Sequence, residues 1–145
     1  MKEIILAFLG SYGPAILFNI ERKNLIWAGL CGAVGWTAYN SVFVLTESGI
    51  FAAFVAAIII SLISEILAKI LKTPSTVFYI PSLFPIVPGI SAYYTVLYII
   101  DKKIMEATYK GLETLSSAGA ISFGILLIST IFRYINTRNI NGKGQ

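Results

Sequence analysis

The chain has 145 residues, of which 57% are hydrophobic and only 12% charged, about half the charge that a water-facing surface carries. Its net charge of +4 is scattered between apolar runs, which excludes a nucleic-acid surface. About five membrane crossings of ~20 residues each would consume most of the length, which excludes a separate catalytic domain. Mean hydropathy is +0.80. The expected fold is therefore all-α: a polytopic membrane helix bundle of about five transmembrane segments, near residues 4–20, 25–45, 49–71, 77–100 and 115–135, with a polar tail at 136–145. With no histidine and Cys31 alone, no intrachain disulfide, metal site or cofactor is expected, and Cys31 reads as a small packing residue.

The first segment ends at Glu21-Arg22-Lys23. Lys2 before an apolar run imitates a signal peptide, but no small-residue cleavage site follows. Gly13-Pro14 is expected to bend or loosen this helix.

In the second segment Gly29, Ala33, Thr37 and Ser41 recur every four residues, widened by Gly32 and Gly35. Such a ridge lets helix backbones approach closely in lipid, and should face protein. The third segment repeats the device with Ala53, Ala57, Ser61, Glu65 and Lys69, while Ile58, Ile59, Leu62 and Ile66 form a lipid-suited face.

The fourth segment, VFYIPSLFPIVPGISAYYTVLYII, contains Pro81, Pro85, Pro88 and Gly89. Each proline removes an N–H and pushes its predecessor out of α geometry, so a straight helix is not expected. Irregular backbone at membrane depth is tolerated where it is buried in protein or lines a polar cavity. The mixed stretch Asp101 to Ser117 suits a short interfacial helix, and the fifth segment begins small, with Ser116 to Ala120, before turning aliphatic.

With five crossings, lysine and arginine number four on the amino-terminal side and seven on the other. The positive-inside rule then places the amino terminus outside and the carboxy terminus in the cytoplasm of a plasma-membrane protein. A re-entrant fourth segment gives the same seven-to-four tally, so charge does not separate the two topologies.

Two stretches, LFNIERKNLIWAGLCGAVGWTAY and KILKTPSTVFYIPSLFPIVPGISAYY, resemble hallmarks of the threonine/serine exporter family, with the remaining apolar segments in matching order. The resemblance implies a secondary exporter of small amino or carboxylic acids, of the threonine/serine or succinate class. The chain is similar to the short, carboxy-terminal-half-like subunit of split exporters, which implies a larger membrane subunit as partner. Such a chain would sit in the lipid bilayer with that subunit or with further copies of itself. Two five-helix halves in series would lie in opposite orientations, as in inverted-repeat transporters.

The solutes so implied carry carboxylates, and the fourth segment offers a means of holding one. A half-helix starting at Gly89 leaves the N–H groups of Gly89, Ile90 and Ser91 without intrahelical partners. Such a terminus favours an anion by ~0.3–1 kcal/mol when exposed and up to ~2 kcal/mol when partly buried. The substrate-binding candidates are thus Pro85, Pro88, Gly89, Ile90, Ser91, Tyr93 and Tyr94. The bland alternatives are a kinked helix that merely packs, and tyrosines that mark a membrane interface.

Glu65, an intramembrane carboxylate, reads as a coupling residue or as a snorkelling partner of Lys69. Asn19 and Asn40 read first as interhelical hydrogen-bonding residues. Three classes of function follow: an exporter subunit, a non-transporting membrane scaffold or assembly protein, and an intramembrane enzyme. The last lacks any nucleophile–base constellation, and the chain is read as no enzyme. A scaffold gains nothing from freeing backbone groups in a bilayer, which favours the exporter.

Overall fold

Four non-glycine residues in the left-handed conformation punctuate the chain: Asn19 (φ 54°), Glu47 (φ 53°), Lys72 (φ 51°) and Lys102 (φ 58°). Each follows an apolar helix, and the N–H groups of Glu47 and Lys72 close their helices on the carbonyls of Phe43 and Ala68. In the computed structural model, which describes residues 2–141 and their side chains through 135, these stops follow four of six helices. The helices are α1 (Lys2–Leu17), α2 (Arg22–Thr46), α3 (Gly49–Leu71), α4 (Thr76–Ser82), α5 (Gly89–Ile100) and α6 (Ile104–Asn141). The described residues contain no strand, and the protein is an all-α membrane helix bundle.

Among the described residues, three helices are long and apolar enough to cross a membrane: α2, α3 and the Ile104–Ile135 part of α6. Their outer faces leave Leu30, Val34, Leu62, Ile66, Phe123 and Leu126 exposed. A soluble monomer rarely shows such extended apolar surface; a bilayer covers it. α1 continues unbroken through Pro14. α6 likewise runs through the stretch expected to hold a separate interfacial helix, so the fifth segment starts about three turns before Leu115, at Ile104, without interruption.

Small residues set the packing. Around α2 pack α1, α3 and α4. A Cβ at Gly29 would meet the Phe8 ring, one at Gly32 would collide with Ser11, and one at Gly35 would collide with Ile60. The Ser82 hydroxyl of α4 lies 2.9 Å from the Ala28 carbonyl of α2 and 2.6 Å from that of Phe78 in its own helix, so its one proton is shared between the two helices. Cys31 packs in the core with its thiol 3.5 Å from the Ser64 hydroxyl.

The small-residue ridge on α2 is only half used. Gly29 and Ala33 are buried, whereas Thr37 and Ser41 are exposed, their hydroxyls bonded to the carbonyls one turn back at 2.9 and 2.8 Å. On α3 the expected faces appear in part: Ala53, Ala57 and Ser61 are buried and Leu62 and Ile66 exposed, but Ile58 and Ile59 are half-buried, with Ile58 close to Gly124 of α6.

α3 and α6 run in the same direction. Phe54 stacks on Phe123 with ring centroids 6.0 Å apart, Gly124 meets Phe54 and Ala57, and Lys69 lies 4.7 Å over the Phe132 ring. α5 packs on α6 alone among the described helices, and none of its residues is buried.

Candidate functional site

The fourth apolar segment is divided between α4 and α5. Pro81 lies inside α4 and is buried, while Pro85 and Pro88 fall in the six residues between the helices. Short-range bonds carry the chain across the gap: Phe84 N–H to Pro81 at 3.3 Å, Ile86 N–H to Leu83 at 2.9 Å, and Gly89 N–H to Val87 at 2.7 Å. Pro88 stands immediately before α5, where its missing N–H costs nothing.

Of the three donors expected at the start of α5, the Gly89 N–H is thus occupied by Val87. Those of Ile90 and Ser91 belong to the first turn, which has no preceding helical carbonyl to bond. A cavity of about 570 Å³ opens against this turn. Pro85, Pro88, Gly89, Ile90 and Ser91 all line it. Its opposite wall is the end of α2 and start of α3, including Trp36, Tyr39, Glu47 and Gly49, and α6 contributes Tyr109, Glu113 and Ser117.

Tyr93 and Tyr94 do not line this cavity. They are exposed and contact each other edge-on at 5.6 Å, with Tyr94 beside Tyr98 at 5.9 Å. Glu65 lies towards the opposite end of α3, where it accepts a hydrogen bond from the Ser75 hydroxyl at 2.9 Å. Asn19 forms the exposed left-handed turn after α1, and Asn40 is exposed on α2; neither lines the cavity.

Glu113, like Glu47, is a charged cavity residue that sequence reasoning missed. The Glu113 Oε1 accepts from the Ser91 hydroxyl at 2.9 Å, and its Oε2 accepts from the Lys110 ammonium at 2.7 Å. Two further features support this wall of the site. Gly111 allows α6 to approach Thr95 of α5, and the Glu113–Lys110 pair is spaced i,i+3 on one helical face. That spacing within KGLE was the available signal, and it becomes visible only if the helix is taken to begin near Ile104.

Trp36 stands between this cavity and a second one of about 350 Å³, whose lining includes Glu3, Ala7, Gly10 and Pro85. Its indole N–H is buried without a hydrogen-bond partner. The paired cavities therefore share a wall made of Trp36 and Pro85. The described residues hold no cluster of histidine, cysteine, aspartate or glutamate that could bind a metal ion.

The arrangement can hold a small polar solute: backbone donors on one wall, hydroxyls from Ser91 and Tyr109, and two carboxylates at Glu47 and Glu113. No solved structure is significantly similar to the chain. The family model described as threonine/serine exporter, ThrE, matches residues 3–131, which include every residue lining the cavity. The protein is a multi-pass membrane protein that belongs to the threonine/serine exporter family.

Proposed function

We propose that this chain is the short subunit of a two-component exporter of small amino or carboxylic acids, of the threonine/serine or succinate class, working with a larger membrane subunit. The observation that carries the reading is the cavity built on the first turn of α5, in a chain of the exporter family. A carboxylate bound there would accept from the Ile90 and Ser91 N–H groups and meet the positive end of the helix dipole.

The parallel course of α3 and α6 supports a full crossing by the divided fourth segment, hence five crossings and termini on opposite sides. The lysine and arginine distribution favours an external amino terminus. The exposed half of the α2 ridge, with Thr37 and Ser41 beside Val34 and Ile59, supports a further helix from the larger subunit at this face.

Reconstitution tests this directly. The chain alone should export neither labelled threonine nor labelled succinate, and the chain with its larger partner should export at least one. Robust export by the isolated chain would remove the two-component reading; no export of any amino or carboxylic acid by the pair would remove the transport reading.

A further inference from the structure

The Ser91 hydroxyl is a donor on the cavity wall, at the helix turn proposed above to receive a solute carboxylate, and it is already donating to a carboxylate of the protein itself. A serine hydroxyl has one proton to give, so it serves one acceptor at a time. We propose that Glu113 is an internal stand-in for the solute: its carboxylate engages α5 through Ser91 while the site is empty, and the arriving carboxylate displaces it. The inference rests on the placement of the transport site at the start of α5.

Three observations make the exchange physically reasonable. Glu113 keeps the Lys110 ammonium, 2.7 Å from its other oxygen, so release from Ser91 does not strand a charge. The side chain is only half-buried, which leaves room for it to turn. And among the described helices α5 packs on α6 alone, so Ser91–Glu113 links the binding turn to that neighbour. Displacing Glu113 therefore loosens α5 from α6 at the moment the solute binds. Glu113 is a positioning residue in this scheme, competing with the solute rather than holding it.

Competition has a kinetic signature opposite to that of a binding residue. Removing Ser91 should weaken solute binding, whereas withdrawing Glu113 should strengthen it. The test is concentration-dependent uptake into inverted vesicles from cells expressing the chain with its larger partner, using whichever of threonine, serine or succinate the wild type carries. Ser91→Ala should raise KM about tenfold, the effect of losing a hydrogen bond to a charged group. Glu113→Gln should lower KM about threefold, and Glu113→Asp, which keeps the charge but shortens the reach to Ser91, should lower it too. In a Ser91→Ala background both gains should vanish, because the contested donor is gone.

A KM that rises or stays level in both Glu113 variants overturns the stand-in role, as does a fall that persists unchanged without Ser91. An unaltered KM in Ser91→Ala, with export intact, instead removes the start of α5 as the transport site. Absence of uptake of all three solutes by the wild-type pair overturns the transport reading on which both depend.

Discussion

Ile60 of α3 sits directly over Gly35 of α2, filling the space that a side chain at position 35 would need. Ile60 is completely buried and belongs to the same cluster as Cys31, Ala53 and Ala57. Gly35→Ala should therefore push α2 from α3 and cost about 1–3 kcal/mol, the usual range for overpacking. Gly32→Ala, which meets Ser11, should behave similarly. Gly13→Ala, where a Cβ meets nothing within 4 Å, is the matched neutral control. Thermal unfolding in detergent, followed by size-exclusion fluorescence, would read the difference; equal stability of all three would show that the contact yields freely.

Ser82→Ala should lower stability by about 1 kcal/mol, because it removes the hydroxyl that joins α4 to the Ala28 carbonyl of α2. Cysteine at 82 should be partly tolerated, since a thiol is a weaker donor of similar size. Stability measured on the same detergent-solubilised protein checks this. A fully stable alanine variant would assign the α4 position to packing of Phe78 alone.

Topology is testable with single cysteines in a Cys31→Ser background, Cys31 being the only cysteine of the chain. Cysteines at Lys2 and Glu47 should react with a membrane-impermeant maleimide added outside intact cells. Those at Arg22 and Lys72 should react only after the membrane is opened. The reverse pattern would invert the orientation, and labelling of Arg22 together with Glu47 would mean that α2 does not cross.

Gly89→Val and Pro88→Ala should each reduce export at least tenfold, equivalent to ~1.4 kcal/mol, without reducing abundance. A side chain at Gly89 meets open space within 4 Å in the empty protein, so valine is accommodated until a solute approaches the backbone. Alanine at 88 restores an N–H and weakens the helix stop before α5. Wild-type export by both variants would make the divided segment a packing feature only.

The helical class, the faces of α3 and the composition of the α4–α5 break were legible in the sequence because each depends on local rules: hydrophobicity, i+4 spacing and proline's missing N–H. The placement of Pro85, Pro88, Gly89, Ile90 and Ser91 on one cavity follows from their falling together at the break between α4 and α5. Tyr93 and Tyr94 were grouped with them by proximity in sequence, but neighbours on a helix point about 100° apart. Both leave the cavity side.

Glu113 and Tyr109 were not legible for a different reason. They reach the site only because α6 starts early and lies against α5; the i,i+3 spacing of Lys110 and Glu113 hints at a shared helical face but not at the tertiary contact with α5. Glu65 shows the same limit. Lys69 is its natural i+4 partner, yet the left-handed turn at Lys72 brings Ser75 back to it instead.

α6 is one uninterrupted helix with Glu113 beside the cavity and Phe132 beside Lys69 near the other end of α3. The distance between those two positions is ~28 Å, close to the thickness of the hydrocarbon layer. A rigid rod of that length would be a lever. A tilt of ~10° about one end would carry the other through ~5 Å, enough to part a helix contact. The cavity wall at Glu113 and the Lys69–Phe132 contact are thus parts of one helix, which midway between them lies close against Phe54 and Ala57 at Gly124.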